Sequence, residues 1–194
     1  MQMLVKGLIM DRVLILHGWG GSDYPHWQAQ LAGRIACNYG VVAFPLLKNP
    51  HFPSRNVWLK QLRELMVEFK PNIVVCHSLG NTLWFWYANE LDLDEDILDK
   101  LYLVAIPSLQ TKEDTISTFF PCPKPKKLFA KEVHIVASDS DKWCKVDEVE
   151  EFALHYGASL KVLPNAGHIN DESAYGPWEW MESQFNLKRE CNEA

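Results

Sequence analysis

The chain alternates short, almost wholly apolar runs with longer segments of helical periodicity, and this alternation constrains the fold more than any other feature. The runs are short and rich in β-branched residues, as is typical of strands buried on both faces of a parallel sheet. They comprise residues 12–18, 41–44, 72–77, 101–106, 133–138 and 159–164. We therefore predict a compact, mostly parallel sheet of about six strands.

Segments with helical spacing lie between these runs. Residues 27–35, 58–69 and 146–156 each place apolar side chains at three- or four-residue intervals, which predicts one buried face per helix. Residues 82–88, "TLWFWYA", are apolar all round and predict a helix buried on most sides. Strand and helix in regular alternation favour a three-layer α/β fold with helices on both faces of the sheet. Ligands then bind at the carboxyl ends of the strands.

The sequence shows no sign of a boundary between domains. It has 194 residues, and no repeat or linker divides it, so we expect a single domain over 1–194 without a separate cap domain. Residues 1–9 are expected to be an extension, and residues 186–194 a flexible tail. Residues 107–131, rich in proline and lysine, form the one long irregular segment, which is typical of a lid or mobile connection.

Composition excludes several classes of partner. The formal net charge of -6 argues against nucleic acid. No apolar run reaches the roughly 18 residues that a membrane span needs, and the first residues lack a signal-peptide cleavage site. The five cysteines are scattered and include no C-x-x-C pair, so we expect reduced thiols and a cytoplasmic location. We expect a monomer or weak dimer.

The stretch "NIVVCHSLGN" (72–81) carries the strongest chemical signal. A strand that ends in x-Ser-x-Gly and leads into a helix is typical of a nucleophile elbow, whose strained turn displays the hydroxyl at the sheet edge. Small residues are needed two positions before and after the serine. Gly80 meets this need, whereas Cys76 stands where glycine is usual. Ser78 is therefore a candidate nucleophile.

A serine needs a base and an acid that orients the base. His168 follows the last predicted strand, at the same sheet edge as Ser78, whereas His77 should project to the opposite side. Asp139 and Asp141 follow the strand before it. Asp141 is favoured because it lies further out on the loop, but both remain candidates. The order serine, acid, histidine is that of α/β-hydrolases.

An oxyanion hole completes such a site. One donor should be the backbone N–H of Leu79, which follows the nucleophile. The other should come from the loop "HGWGGS" (17–22), where we assign the amide of Trp19. This loop does not fit the dinucleotide pattern G-x-G-x-x-G, because position 23 is Asp.

Aromatic residues near these loops are candidate pocket walls. We expect the substrate to be bound by Trp19, Trp143, Phe119 and Phe120. Such walls suit a small acyl ester. No organic cofactor and no metal is expected, since no set of candidate ligands is found in the sequence.

Four segments together resemble the small serine hydrolases of the retinoblastoma-binding-protein-9 and YdeN type. The resemblance spans roughly residues 11–185, and "GHINDESAYGPW" (167–178) is its most specific part. It implies an α/β-hydrolase fold with little or no cap, a triad of Ser78, Asp141 and His168, and action on small carboxylic esters or related acyl compounds. The sequence departs from the family at Cys76 and at the aromatic run "WFWY". The four segments are "RVLILHGWGGSDYPHW", "VVCHSLGN", "VASDSDKW" and "YGASLKVLPNAGHINDESAYGPWEW".

The predicted function is that of a serine hydrolase that works through an acyl-enzyme. An acyltransferase with the same triad is one alternative, and adding alcohol or amine acceptors to an ester assay would distinguish it. A non-catalytic binding protein on a hydrolase fold is another, and it would fail to react with a fluorophosphonate. Site geometry rather than fold must decide between them.

Overall fold

A computed structural model describes residues 11–38, 40–185 and 187 of the chain. Its strands are β1 (Arg12–Leu16), β2 (Val41–Ala43), β3 (Ile73–His77), β4 (Leu98–Val104), β5 (Ala130–Ser138) and β6 (Ser159–Leu163). Its α-helices are α1 (Trp27–Cys37), α2 (Arg55–Glu68), α3 (Leu79–Glu90), α4 (Val146–Tyr156) and α5 (Glu179–Ser183). Each predicted strand is present. The expectations for residues 1–9 and for most of 186–194 lie outside the described residues.

The strands form one sheet in the order β2-β1-β3-β4-β5-β6, and all of the described pairings are parallel. The chain moves outward from β1 to β2 and then returns to the other side of β1 to place β3. Ligands of open parallel sheets bind at such a change of direction, beyond the carboxyl ends of the strands. The predicted three-layer α/β fold is confirmed, and the ends of β1 and β3 mark the expected site.

The core lies on both faces of the sheet, because side chains along a strand point alternately to opposite faces. In β1, Leu14 and Leu16 pack into the cluster beneath α2, α3 and α4. Val13 and Ile15 pack into the cluster beneath α1 and α5. This two-sided burial explains why the strands read as continuous apolar runs.

Helix α3 is the element that the sequence predicted to be apolar all round. Its Leu83, Trp84 and Phe85 are almost completely buried. Since α3 begins directly after β3, its burial fixes the position of the turn between them. That turn carries Ser78.

The segment 107–131 is irregular for most of its length, but it packs against the domain. A 3₁₀ helix spans Asp114–Phe119, and the indole nitrogen of Trp86 donates to the carbonyl oxygen of Phe119 at 2.9 Å. Several of its apolar side chains are buried in the core, namely Ile116, Phe119, Cys122, Leu128 and Phe129. The structure therefore shows a packed wall where the sequence suggested a lid or mobile connection.

Two further expectations concern the environment of the protein. The expectation that all thiols are reduced is wrong for Cys37, which is disulfide-bonded. Cys76, Cys122 and Cys144 are free and buried. The cytoplasmic location stays a prediction and loses part of its support. Within the described residues, no helix has both the length and the apolar character needed to cross a membrane.

Candidate active site

Ser78 lies in a strained turn between β3 and α3. Its backbone has φ 51° and ψ −121°, a region that residues other than glycine rarely adopt. Two hydrogen bonds hold the turn: the Ser78 amide donates to the Val104 carbonyl at 3.0 Å, and the Asn81 side chain donates to the Ser78 carbonyl at 2.9 Å. The turn thus has the geometry of a nucleophile elbow.

Residue 80 must be small because α3 begins against the end of β1. A Cβ atom at Gly80 would lie 2.7 Å from the carbonyl oxygen of Leu16 and 3.0 Å from that of His17, so a larger residue would push the helix away. Cys76 is fully buried at the position where glycine was expected. Its side chain is accommodated in the cluster beneath α2, α3 and α4.

Three of the predicted side chains form one hydrogen-bonded chain. His168 Nε2 lies 2.7 Å from Ser78 Oγ, and His168 Nδ1 lies 2.8 Å from Asp141 Oδ2. Because a carboxylate only accepts hydrogen bonds, Nδ1 carries the imidazole proton, and Nε2 accepts from the Ser78 hydroxyl. The Asp141 side chain is 3% exposed and that of His168 11% exposed, so little water competes for these bonds.

Asp139 and Asp141 have different partners, although they are two residues apart. Asp141 Oδ1 also accepts the amide of Trp143 at 2.9 Å, which fixes the carboxylate towards His168. Asp139 is exposed, and its Oδ1 accepts the amide of Asn165 at 2.7 Å. The structure therefore places Asp141 beside the imidazole and gives Asp139 a loop-bracing contact.

Two serines that the sequence analysis passed over tie the His168 loop to the end of β5. The hydroxyl of Ser138 accepts the amide of Ala166 at 3.0 Å, and that of Ser140 accepts the amide of Gly167 at 3.0 Å. These bonds join the loops that carry Asp141 and His168. No spacing rule points to them, since they depend on β5 and β6 being neighbours in the sheet.

The loop after β1 approaches Ser78 closely. A Cβ atom at Gly18 would lie 2.8 Å from Ser78 Cβ, so only glycine fits there. The ring of His17 holds this loop, because its Nε2 accepts the amide of Leu47 at 2.8 Å and its Nδ1 donates to the Gly18 carbonyl at 2.7 Å. Burial lowers the pKa of His17, which favours the neutral ring that both contacts require.

The two predicted oxyanion donors belong to residues that line one cleft together with Ser78. Leu79 is the first residue of α3, where a backbone amide has no acceptor within the helix and the helix dipole favours negative charge. Trp19 follows Gly18, and its indole nitrogen is fixed by donation to the His51 carbonyl at 3.0 Å. Trp19, Leu79 and Ser78 line the same cleft.

This cleft has a volume of about 230 Å³. Trp143 lines it, together with Pro107 and Ile116. Phe119 and Phe120 are not brought to it. Phe119 is fully buried against the ring of Trp58, and Phe120 lines a separate surface hollow. Pro107 and Ile116 are the residues of the 107–131 segment that the structure does bring to the cleft.

Charged groups also line the cleft. The lining of the cleft includes Lys142 and Glu172 as well as the polar Asn170. Among the residues that the structure describes, no group of three or more His, Cys, Asp or Glu side chains could hold a metal ion.

Solved structures share the fold. The ydeN gene product of B. subtilis aligns with a TM-score of 0.76 at 20% identity, covering 90% of this chain and 96% of that one. Est1E from Butyrivibrio proteoclasticus, solved with ferulic acid bound, aligns with a TM-score of 0.63 at 16% identity, covering 90% and 89%. The esterase domain of a Rhodothermus marinus protein aligns with a TM-score of 0.59 at 12% identity, covering 87% and 84%.

Sequence comparison decides the family. No curated protein matches the chain. The family model described as serine hydrolase matches residues 13–187, nearly the whole chain, and the predicted resemblance to YdeN-type hydrolases is confirmed. The chain belongs to the serine hydrolase family.

Proposed function

We propose that this hydrolase cleaves small carboxylic esters through an acyl-enzyme on Ser78. The Ser78 oxygen attacks the ester carbonyl carbon while His168 Nε2 takes the hydroxyl proton. The carbonyl π electrons move to oxygen, and the amides of Leu79 and Trp19 stabilise the resulting oxyanion. The oxyanion collapses, the alcohol leaves with the proton from His168, and an acyl ester remains on Ser78.

Water completes the cycle by the same steps. His168 removes a proton from a water molecule that attacks the acyl carbonyl, and the tetrahedral intermediate returns the Ser78 oxygen as the leaving group. Asp141 keeps the Nδ1 proton in place and stabilises the imidazolium that forms twice in each cycle. The carboxylic acid is then released.

The observation that carries this proposal is the hydrogen-bonded chain from Asp141 through His168 to Ser78, with separations of 2.8 Å and 2.7 Å. These are separations at which a base can take a proton without rearrangement. The strained backbone of Ser78 supports the same conclusion, since such strain persists where surrounding structure enforces it and is concentrated at functional sites.

The cleft supports a small substrate. Its volume of about 230 Å³ lies below the range of roughly 300–1,000 Å³ typical of drug-sized ligands. Apolar walls from Ile116 and Trp143 suit a short aliphatic or aromatic acyl group.

A fluorophosphonate probe tests the proposal. The probe should label the folded protein with one equivalent on Ser78, and Ser78→Ala should abolish the labelling. Ser183→Ala, which alters an exposed hydroxyl bonded to the Trp180 carbonyl, is the matched control and should label normally. Failure of the folded wild type to react would refute the proposal. Unchanged ester turnover in Ser78→Ala would refute it as well.

A further inference from the structure

The loop that carries His168 has a left-handed backbone on both sides of that residue. Gly167 has φ 52° and Ile169 has φ 50°. Glycine tolerates this left-handed region, but a β-branched residue such as isoleucine is a genuine outlier there. Backbone of this kind persists only where its surroundings enforce it. The contacts that hold residues 168 and 169 therefore decide where the imidazole sits.

Two buried ring donors hold consecutive carbonyl groups of this loop. His77 Nε2 donates to the carbonyl oxygen of His168 at 3.0 Å, and Trp27 Nε1 donates to that of Ile169 at 2.8 Å. Trp27 and His77 are 1% and 3% exposed, and their rings meet edge to face with centroids 5.9 Å apart. The two donors thus form one rigid unit beneath the loop.

The burial and protonation state of His77 indicate that its role is to donate the Nε2–H group to the His168 carbonyl. Burial lowers its pKa well below the ordinary value, so the ring is neutral and carries a single proton. That proton lies on Nε2, facing the carbonyl, because a carbonyl oxygen only accepts. Its buried Nδ1 has no hydrogen-bond partner among the described residues, which costs stability. An apolar residue would avoid that cost but could not hold the His168 carbonyl.

We propose that His77 and Trp27 are positioning residues for the catalytic reaction, acting as a two-point clamp on the backbone of residues 168 and 169. This inference rests on the proposed function of His168. The clamp fixes the left-handed backbone at Ile169 and thereby aims the imidazole at Ser78 and Asp141. It acts on different residues from the bonds of Ser138 and Ser140, which hold residues 166 and 167.

The test uses three variants and a matched control. His77→Leu removes the donor at one carbonyl, and Trp27→Phe removes the donor at the other while keeping an aromatic ring. His77→Gln restores an N–H₂ donor at the position of Nε2. Trp84→Phe is the control, because the Trp84 indole donates to the Leu128 carbonyl at 3.2 Å on the opposite face of the sheet. Each protein is assayed with p-nitrophenyl acetate after its folding is checked by circular dichroism.

We expect His77→Leu and Trp27→Phe to lower kcat about ten- to 100-fold with KM changed less than about twofold, the pattern of a misplaced base. His77→Gln should recover most of the lost kcat. Trp84→Phe should lower the melting temperature but leave kcat within about twofold.

Three results would overturn the clamp. Full kcat in folded His77→Leu and Trp27→Phe would do so. A decrease in kcat no larger than that of Trp84→Phe would show that His77 and Trp27 have a purely structural role. Failure of His77→Gln to recover the kcat lost in His77→Leu would show the same. Wild-type labelling at Ser78 separates these outcomes from failure of the proposed function, since the label reports on Ser78 whatever the clamp does.

Discussion

Replacing Asp141 by Asn removes one charge without changing the shape of the side chain. In the wild type, Asp141 Oδ1 accepts the amide of Trp143 at 2.9 Å, and Oδ2 accepts His168 Nδ1 at 2.8 Å. Asparagine has one acceptor oxygen and one N–H₂ group. If the oxygen keeps the Trp143 amide, the N–H₂ group faces Nδ1 and forces the imidazole proton onto Nε2. His168 then cannot accept the proton of Ser78.

The expected loss is about 10⁴-fold in kcat, or ~5.4 kcal/mol of barrier, the size observed when a triad histidine is held in the wrong tautomer. Asp139→Asn is the matched control. Among the described residues, Asp139 Oδ1 accepts a hydrogen bond from the exposed backbone amide of Asn165, and asparagine can keep that bond. We expect kcat within about threefold of wild type for this variant.

The assay is initial-rate hydrolysis of p-nitrophenyl acetate by folded, quantified protein. Retention of more than about a tenth of wild-type kcat by Asp141→Asn would refute the role of Asp141 as the acid that orients His168. A 10⁴-fold loss in Asp139→Asn alone would assign the acid to the other carboxylate.

Three further predictions follow from the same structure. Gly18→Ala should lower kcat about 100-fold, because the new methyl group would lie 2.8 Å from Ser78 Cβ. Gly33→Ala in α1, where an added Cβ meets nothing within 4 Å, should instead raise the free energy of unfolding by ~0.5–1 kcal/mol, as measured by urea unfolding. Burial lowers the pKa of His26 to about 4, so the unfolded chain binds more protons than the folded one between about pH 6.5 and about pH 4. The free energy of unfolding should therefore fall by about 3 kcal/mol as pH falls through that window. His26→Asn keeps an oxygen that can cap α1 and should make the free energy of unfolding depend less on pH. Finally, kcat/KM should be higher for p-nitrophenyl acetate and butyrate than for decanoate, because the cleft holds about 230 Å³; a preference for decanoate would contradict this reading.

Most of the fold could be predicted because its cause is local. Strands buried on both faces must be apolar throughout, and α3, enclosed on most sides, must be apolar all round. The proximity of Ser78, Asp141 and His168 could be predicted for a related reason. Each follows the carboxyl end of a strand, and a parallel sheet brings those ends to one edge.

The errors arose where tertiary packing decides. Phe119 and Phe120 look like pocket walls because they lie in a long proline-rich segment, but burying Phe119 against Trp58 is more favourable than exposing it to a cleft. The state of Cys37 could not be predicted from spacing either, since a scattered cysteine gives no sign of a partner.

The contacts of His77 and Trp27 with the His168 loop could not be predicted from the sequence. In the sequence, His77 has the features of a poor base, and Trp27 those of one member of the apolar face of a helix. Their hydrogen bonds to the carbonyls of His168 and Ile169 span 91 and 142 positions in the chain. Contacts of that separation follow from the sheet order, which periodicity alone does not reveal.

The central claim is that Ser78 carries the acyl group during turnover. The most direct measurement is mass spectrometry of peptides from enzyme mixed with p-nitrophenyl butyrate and quenched in acid within the first turnover. We predict one butyryl group on the peptide that contains Ser78, and its disappearance as the substrate is exhausted. Rapid turnover with no acyl group on that peptide, or with the group on another residue, would contradict the account.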